Sequence, residues 1–133
     1  MRHIETAKRQ VETLIRSMNI DIILIDDNPY EMKAIKEILR INGFTNVQCI
    51  TPNHTTVERL EMLNPKLIIS DLFGCLGVDA IVKHFGQKMI INTGFCNQMV
   101  EDSVGKNVYG VAFKDDPGTL INQIKDFFDL EAA

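Results

Sequence analysis

The chain has 133 residues, 45% hydrophobic and 24% charged, with a net charge of −4. That is the size and balance of one soluble globular domain, and it excludes a broadly basic nucleic-acid binder. No apolar run is long enough to span a bilayer, and the opening residues lack the apolar core and cleavage pattern of a secretory signal, so none is expected. Cys49, Cys75 and Cys96 make no disulfide framework, so a reducing cytoplasm is the expected setting.

Charge is uneven along the chain. Residues 1–19 hold Arg2, Lys8, Arg9 and Arg16 against Glu5 and Glu12, which leaves the acidic excess to the rest. Residues 2–18 read as an amphipathic helix, with Ile4, Ala7, Val11, Leu14 and Met18 spaced by threes and fours and Ile15 widening the stripe. Such a helix either packs on its own domain or forms a homodimer or partner contact. Residues 1–19 are therefore separated from the main domain, 20–133.

The first strand of that domain is Ile20–Ile25, an Ile-dense run suited to a strand buried on both faces. It ends at Asp26-Asp27. Asn28 and Pro29 are cap and first position of a helix running to about Asn42, with Ala34, Ile35, Ile38, Leu39 and Ile41 on its apolar side and Gly43 as a left-handed stop. Val47–Ile50 is a short second strand, and a helix around Thr55–Leu63 follows. Leu67–Ile69 form a third strand that ends in Asp71. Val78–Phe85 is a helix and Met89–Thr93 a fourth strand. Phe95–Lys106 carries Met99, Val100 and Val104 at helical spacing. Val108–Phe113 is a fifth strand, ending at Lys114. A last helix opens at Pro117-Gly118, with Leu120, Ile121, Ile124, Phe127 and Phe128 as its stripe. Met18, Met32, Met62, Met89 and Met99 read as core or partial-core filling. His54 and His84 read as surface or helix-end residues.

One helix followed by five strand–helix units indicates an α/β fold: a doubly wound, five-stranded parallel sheet covered on both faces, with an extra N-terminal helix. In such sheets ligands bind outside the carboxyl ends of the strands. Asp26, Asp27, Asp71, Thr93 and Lys114 all lie at those ends. Alone, Asp71 could cap its strand or carry chemistry. Three carboxylates in one crevice repel unless a cation compensates them. Oxygen ligands of this kind suit Mg²⁺, and a hydroxyl with an ammonium suits phosphoryl oxygens.

This ordered set, Asp26-Asp27, Asp71, Thr93 and Lys114, resembles the receiver domain of two-component response regulators over about residues 20–130. The resemblance implies the flavodoxin-like sheet order. It implies Asp71 as phosphoacceptor, taking its phosphoryl group from a histidine kinase or a histidine phosphotransfer protein. It implies Mg²⁺ held by Asp26, Asp27, Asp71 and the backbone carbonyl of Phe73. Thr93 would bond the phosphoryl group in the active state, Lys114 would pair with its oxygens, and a downstream protein would read the switch. No separate output domain, direct nucleic-acid contact, membrane contact or enzymatic turnover is expected. Three features differ from the family pattern: Lys114 precedes Asp115 rather than proline, the loop after Asp71 reads Phe73–Gly77, and Val111 stands where an aromatic is usual. They leave room for a pseudo-receiver, a phosphorylation-independent interaction module. A small phosphate-ester hydrolase is a further alternative, although the Asp-x-Asp of haloacid-dehalogenase-like phosphatases is missing. The chain could also be part of a longer regulator.

Overall fold

The computed structural model describes residues 4–10, 20–52, 55–71, 78–94 and 106–132. Residues 4–10 are helical (α1) and entirely exposed, Ile4 at 73%. Then come β1 (Ile22–Ile25), α2 (Pro29–Ile41), β2 (Val47–Ile50), α3 (Val57–Leu63), β3 (Leu67–Ser70), α4 (Val78–Phe85), a 3₁₀ turn (Gly86–Lys88), β4 (Met89–Thr93), β5 (Gly110–Phe113) and α5 (Pro117–Ala132). Among the described residues five strands form one sheet, ordered β2-β1-β3-β4-β5, with every pairing parallel. That order reverses direction between β1 and β3, which makes their carboxyl ends the switch point.

Strand alternation divides the core into two layers. Ile23, Ile25, Ile68 and Ile91 face one side, where Leu60 of α3 and Ile81 of α4 cover them. Ile22, Leu24, Leu67, Ile69, Ile90 and Ala112 face the other, under Leu39 of α2 and Leu120, Ile121, Ile124 and Phe127 of α5. Every residue of β1, β3 and β4 is buried, as the Ile-rich runs predict.

Local chemistry sets the helix ends. The Asn28 side chain accepts the Tyr30 and Glu31 amides, and Pro29 takes the first helical position of α2. At its far end the Gly43 amide bonds the Arg40 carbonyl and the Phe44 amide the Leu39 carbonyl at 2.9 Å. Gly43 has φ of +92°, so this is a Schellman stop, with Phe44 packed in the Leu39 layer. Thr56 caps α3 through the Arg59 amide, and Asn64 ends it in the left-handed region.

Several expectations are corrected. Ala34 and Ile41 are exposed, since α2 buries Leu39 and turns Met32, Ile35 and Ile38 to the sheet while Phe44 closes its end. Met62 is exposed rather than core, because a two-turn helix can offer the sheet only the Val57, Leu60 and Leu63 side. β5 starts at Gly110, two residues later than predicted; Val108 is buried ahead of it, and the Tyr109 amide bonds the Gly86 and Met89 carbonyls. The rest of the predicted first helix, Cys75, Cys96, His54, the Phe73–Gly77 loop and the helix predicted over Phe95–Lys106 (to residue 105) lie outside the described residues.

Candidate functional site

Asp26 follows β1 directly, Asp71 follows β3 and Lys114 follows β5, so three strand ends deliver their side chains to one crevice. The Asp71 amide continues the ladder, bonding the Ile25 carbonyl at 2.9 Å. The register therefore sets Asp71 beside Asp26, on the face that also carries Leu24 and Ile69. On the other flank, the Lys114 amide bonds the Thr93 carbonyl at 2.8 Å.

Lys114 is the hub. Its Nζ donates to Asp26 Oδ2 at 2.9 Å, to Asp71 Oδ2 at 3.1 Å and to Glu31 Oε2. The Lys114 side chain is 17% exposed, Asp26 2%, Asp71 13% and Glu31 43%. Burial by itself would push the ammonium down, but its hydrogen bonds to Glu31, Asp26 and Asp71 outweigh it and raise its pKa above the ordinary lysine value. The Asp26 pKa is raised as well, which for a carboxyl disfavours the charged form. Burial pushes its pKa up; the Asn28 amide (2.8 Å) and Lys114 pull down, and the Asp71 charge adds to the rise.

Asp26, Asp27 and Asp71 each offer a carboxylate oxygen, and the three lie within 4.8 Å of one another. Asp26 is buried, Asp71 half-buried and Asp27 exposed, so the trio opens to solvent on one side. The Lys114 ammonium is shared by Asp26, Asp71 and Glu31, so the carboxylates around it outnumber it. Hard oxygen donors with one open side fit Mg²⁺, which keeps part of its water shell.

Of the residues expected at the site, Asp26, Asp27, Asp71 and Lys114 come together in space. Thr93 is the last residue of β4, fully buried, and tied to the site through the Lys114 backbone. Phe73 lies outside the described residues. No cis peptide bond occurs among the described residues, so the Lys114–Asp115 bond is trans. Asp116 instead opens α5, accepting from the Thr119 amide and hydroxyl.

Two polar residues of the site region escape a reading of the sequence. Glu31 reads as an ordinary first-turn acid, three residues after the Asn28 cap. Its tertiary partner is 83 residues away, and no local signal names it. Asn92 lies 3% exposed in β4, one residue beyond the Ser70–Ile91 pair and so level with Asp71. Its Nδ2 donates to the Ala112 carbonyl at 3.1 Å, and its Oδ1 finds no partner among the described residues. Its position before Thr93, inside an apolar strand, was the available hint.

No protein-family model matches the chain, and neither does any curated protein. Solved structures do. The chain aligns with the RcsB response regulator of Salmonella typhimurium at 20% identity and a TM-score of 0.63, over 74% of this chain and 54% of that one. It aligns with the BeF₃-activated N-terminal receiver domain of Klebsiella pneumoniae RstA at 14% identity and 0.60, over 79% and 95%. It aligns with RcsB of Salmonella enterica serovar Typhimurium, bound to the rprA promoter, at 22% and 0.59, over 72% and 60%. The chain has the receiver fold. It spans little more than half of the two RcsB chains and nearly all of the RstA domain. The receiver sheet order expected from the sequence is the order observed. Among the described residues no helix is long and apolar enough to cross a membrane.

Proposed function

We propose that this chain is a response-regulator receiver that accepts a phosphoryl group on Asp71 and thereby switches the binding of a protein target. The observation that carries the reading is the Lys114 ammonium on Asp71 Oδ2, beside an acidic trio, at the switch point of a receiver-fold sheet. An Asp71 carboxylate oxygen attacks the phosphorus of a phosphohistidine on a histidine kinase or histidine phosphotransfer protein. The O–P bond forms as the P–N bond breaks, and the imidazole leaves with the electron pair. Lys114 donates to the transferred oxygens, and the Thr93 hydroxyl engages them in the phosphorylated form. Asp26, Asp27 and Asp71, with the Phe73 carbonyl that the family resemblance implies, would hold Mg²⁺, which would supply charge neutralisation for the transferring group. The added charge is the signal. The chain acts in the cytoplasm and turns over nothing beyond its own phosphorylation and dephosphorylation.

The test is incubation with Mg²⁺ and either a small acyl-phosphate donor or beryllofluoride, read by intact mass and by NMR shifts around the crevice. A Mg²⁺-dependent adduct that Asp71→Asn abolishes is expected. No adduct, or one that survives Asp71→Asn, overturns the reading. A rival reading, the phosphorylation-independent pseudo-receiver, draws on one observation: Lys114 is already engaged by Glu31. The same titration separates the two.

A further inference from the structure

Lys114 has three N–H groups and three carboxylate acceptors, so its donors are all committed. These acceptors differ in freedom. Asp26 is buried and its second oxygen is fixed by the Asn28 amide. Asp71 is the group that becomes modified under the proposed function. Glu31 is the outer partner, 43% exposed on the first turn of α2.

The position of Glu31 has a local cause. Three residues after an Asn cap, a glutamate ordinarily turns back to the backbone amide of the cap residue. Here that amide is already donated, at 2.8 Å, to Asp26 Oδ1. The Glu31 side chain reaches instead across the crevice to Lys114, which comes from β5 at the far side of the sheet.

We propose that Glu31 is a latch on Lys114: it competes with the incoming phosphoryl group for the ammonium and so lowers the affinity of the unmodified site for that group. The proposal rests on the receiver reading above. A phosphoryl group on Asp71 brings negative oxygens to a cation already shared with a competing carboxylate. Glu31 is the partner that can withdraw into water at least desolvation, so it is the one that yields. It is a positioning residue, acting on the phosphoryl group through Lys114. Because the latch is partly solvated, its effect is modest, in the range of a partly exposed ion pair.

The experiment compares wild type, Glu31→Gln, Glu31→Asp and Asp71→Asn for beryllofluoride binding in excess Mg²⁺, with melting temperatures measured alongside. Glu31→Gln keeps the side-chain length and removes the charge. It is expected to bind beryllofluoride about two- to fivefold more tightly than wild type, with the gain shrinking in high salt. Glu31→Asp keeps the charge but draws it back by one methylene, and is expected to resemble Glu31→Gln. Equal or weaker binding by Glu31→Gln overturns the latch while leaving the phosphoacceptor intact. A Glu31→Asp protein that matches wild type assigns the effect to general crevice charge and also overturns the latch. If wild type itself shows no adduct that Asp71→Asn removes, the receiver reading fails, and the latch with it.

Discussion

Replacing Lys114 by Met keeps the aliphatic stem and removes the charge and all three donors. Asp26, 2% exposed, then loses its cation, as does Asp71 at 13%. Removing one partner of a fully buried pair costs about 3–5 kcal/mol. The crevice is open at Asp27 and Glu31, so the lower end applies, about 3 kcal/mol at pH 8 in the absence of divalent cations. The deficit is also pH-dependent. The Asp26 carboxyl is already raised by burial, and two of the influences that lower it come from Lys114. Their loss raises it further. A carboxyl raised in the folded state takes up a proton that the unfolded chain does not hold, so stability falls as pH rises through its folded pKa. The variant's deficit is therefore larger at the alkaline end of the range than at the acid end. Lys114 makes no compensating contribution to this slope. Its own raised pKa gives stability that is fully present below the ordinary lysine value and lost only at more alkaline pH. Urea unfolding followed by circular dichroism at pH 5, 6, 7 and 8, with chelator and then with Mg²⁺, measures this. Mg²⁺ is expected to reduce the deficit at pH 8. A deficit under about 1 kcal/mol and flat across the range would refute the assignment of Lys114 as the compensating charge.

Asn92→Leu is expected to stabilise the fold by about 1 kcal/mol, because it removes from a buried strand an Oδ1 that has no partner among the described residues and gives up one hydrogen bond to Ala112; a lower urea midpoint would show that the amide is better satisfied than these contacts indicate. Gly86→Ala is expected to lose about 2 kcal/mol or more, since its Cβ would stand 2.0 Å from the Asn107 carbonyl oxygen, which is backbone and cannot swing away. An unchanged midpoint would mean that the 3₁₀ turn before β4 shifts freely. Thr56→Ala removes the cap on the Arg59 amide and should lose about 1 kcal/mol, with Thr56→Ser restoring most of it.

The strands were legible because burial on both faces writes itself as unbroken apolar runs. Ile22–Ile25, Leu67–Ile69 and Met89–Ile91 each carry side chains into both core layers, and no helix period fits them. The helix ends were legible at Asn28, Pro29 and Gly43, where the backbone needs a specific residue. The helix faces were less so. A count of apolar positions assigns Ile41 and Met62 to the core, whereas a neighbouring stop and a short helix decide how much face is used. At the site, Asp26, Asp27, Asp71 and Lys114 were readable because each ends a strand, and parallel topology gathers strand ends. Glu31 was not readable in the same way. Its local role as a first-turn acid is self-sufficient, and only the tertiary approach of β5 reveals its second role.

The same geometry bears on how a modification at Asp71 would reach the surface. Val111 occupies the place where receivers usually carry an aromatic, and it packs on the α3–α4 layer. Tyr109 does not replace it: its ring meets Phe127 of α5 edge-on, with centroids 5.2 Å apart, in the opposite layer. Phe113 stands differently. It pairs in register with Thr93 at the end of the sheet, is half-buried, and immediately precedes Lys114. Neighbours in a strand point to opposite faces, so Lys114 looks into the acidic crevice while Phe113 lies on the α3–α4 side. Under the proposed function, a pull on Lys114 and a closure of Thr93 would act on the same two backbone residues. The carbonyl–amide bond between Thr93 and Lys114 makes them one mechanical unit. Among the described residues, the aromatic best placed to feel that unit move is Phe113, two positions beyond the usual one.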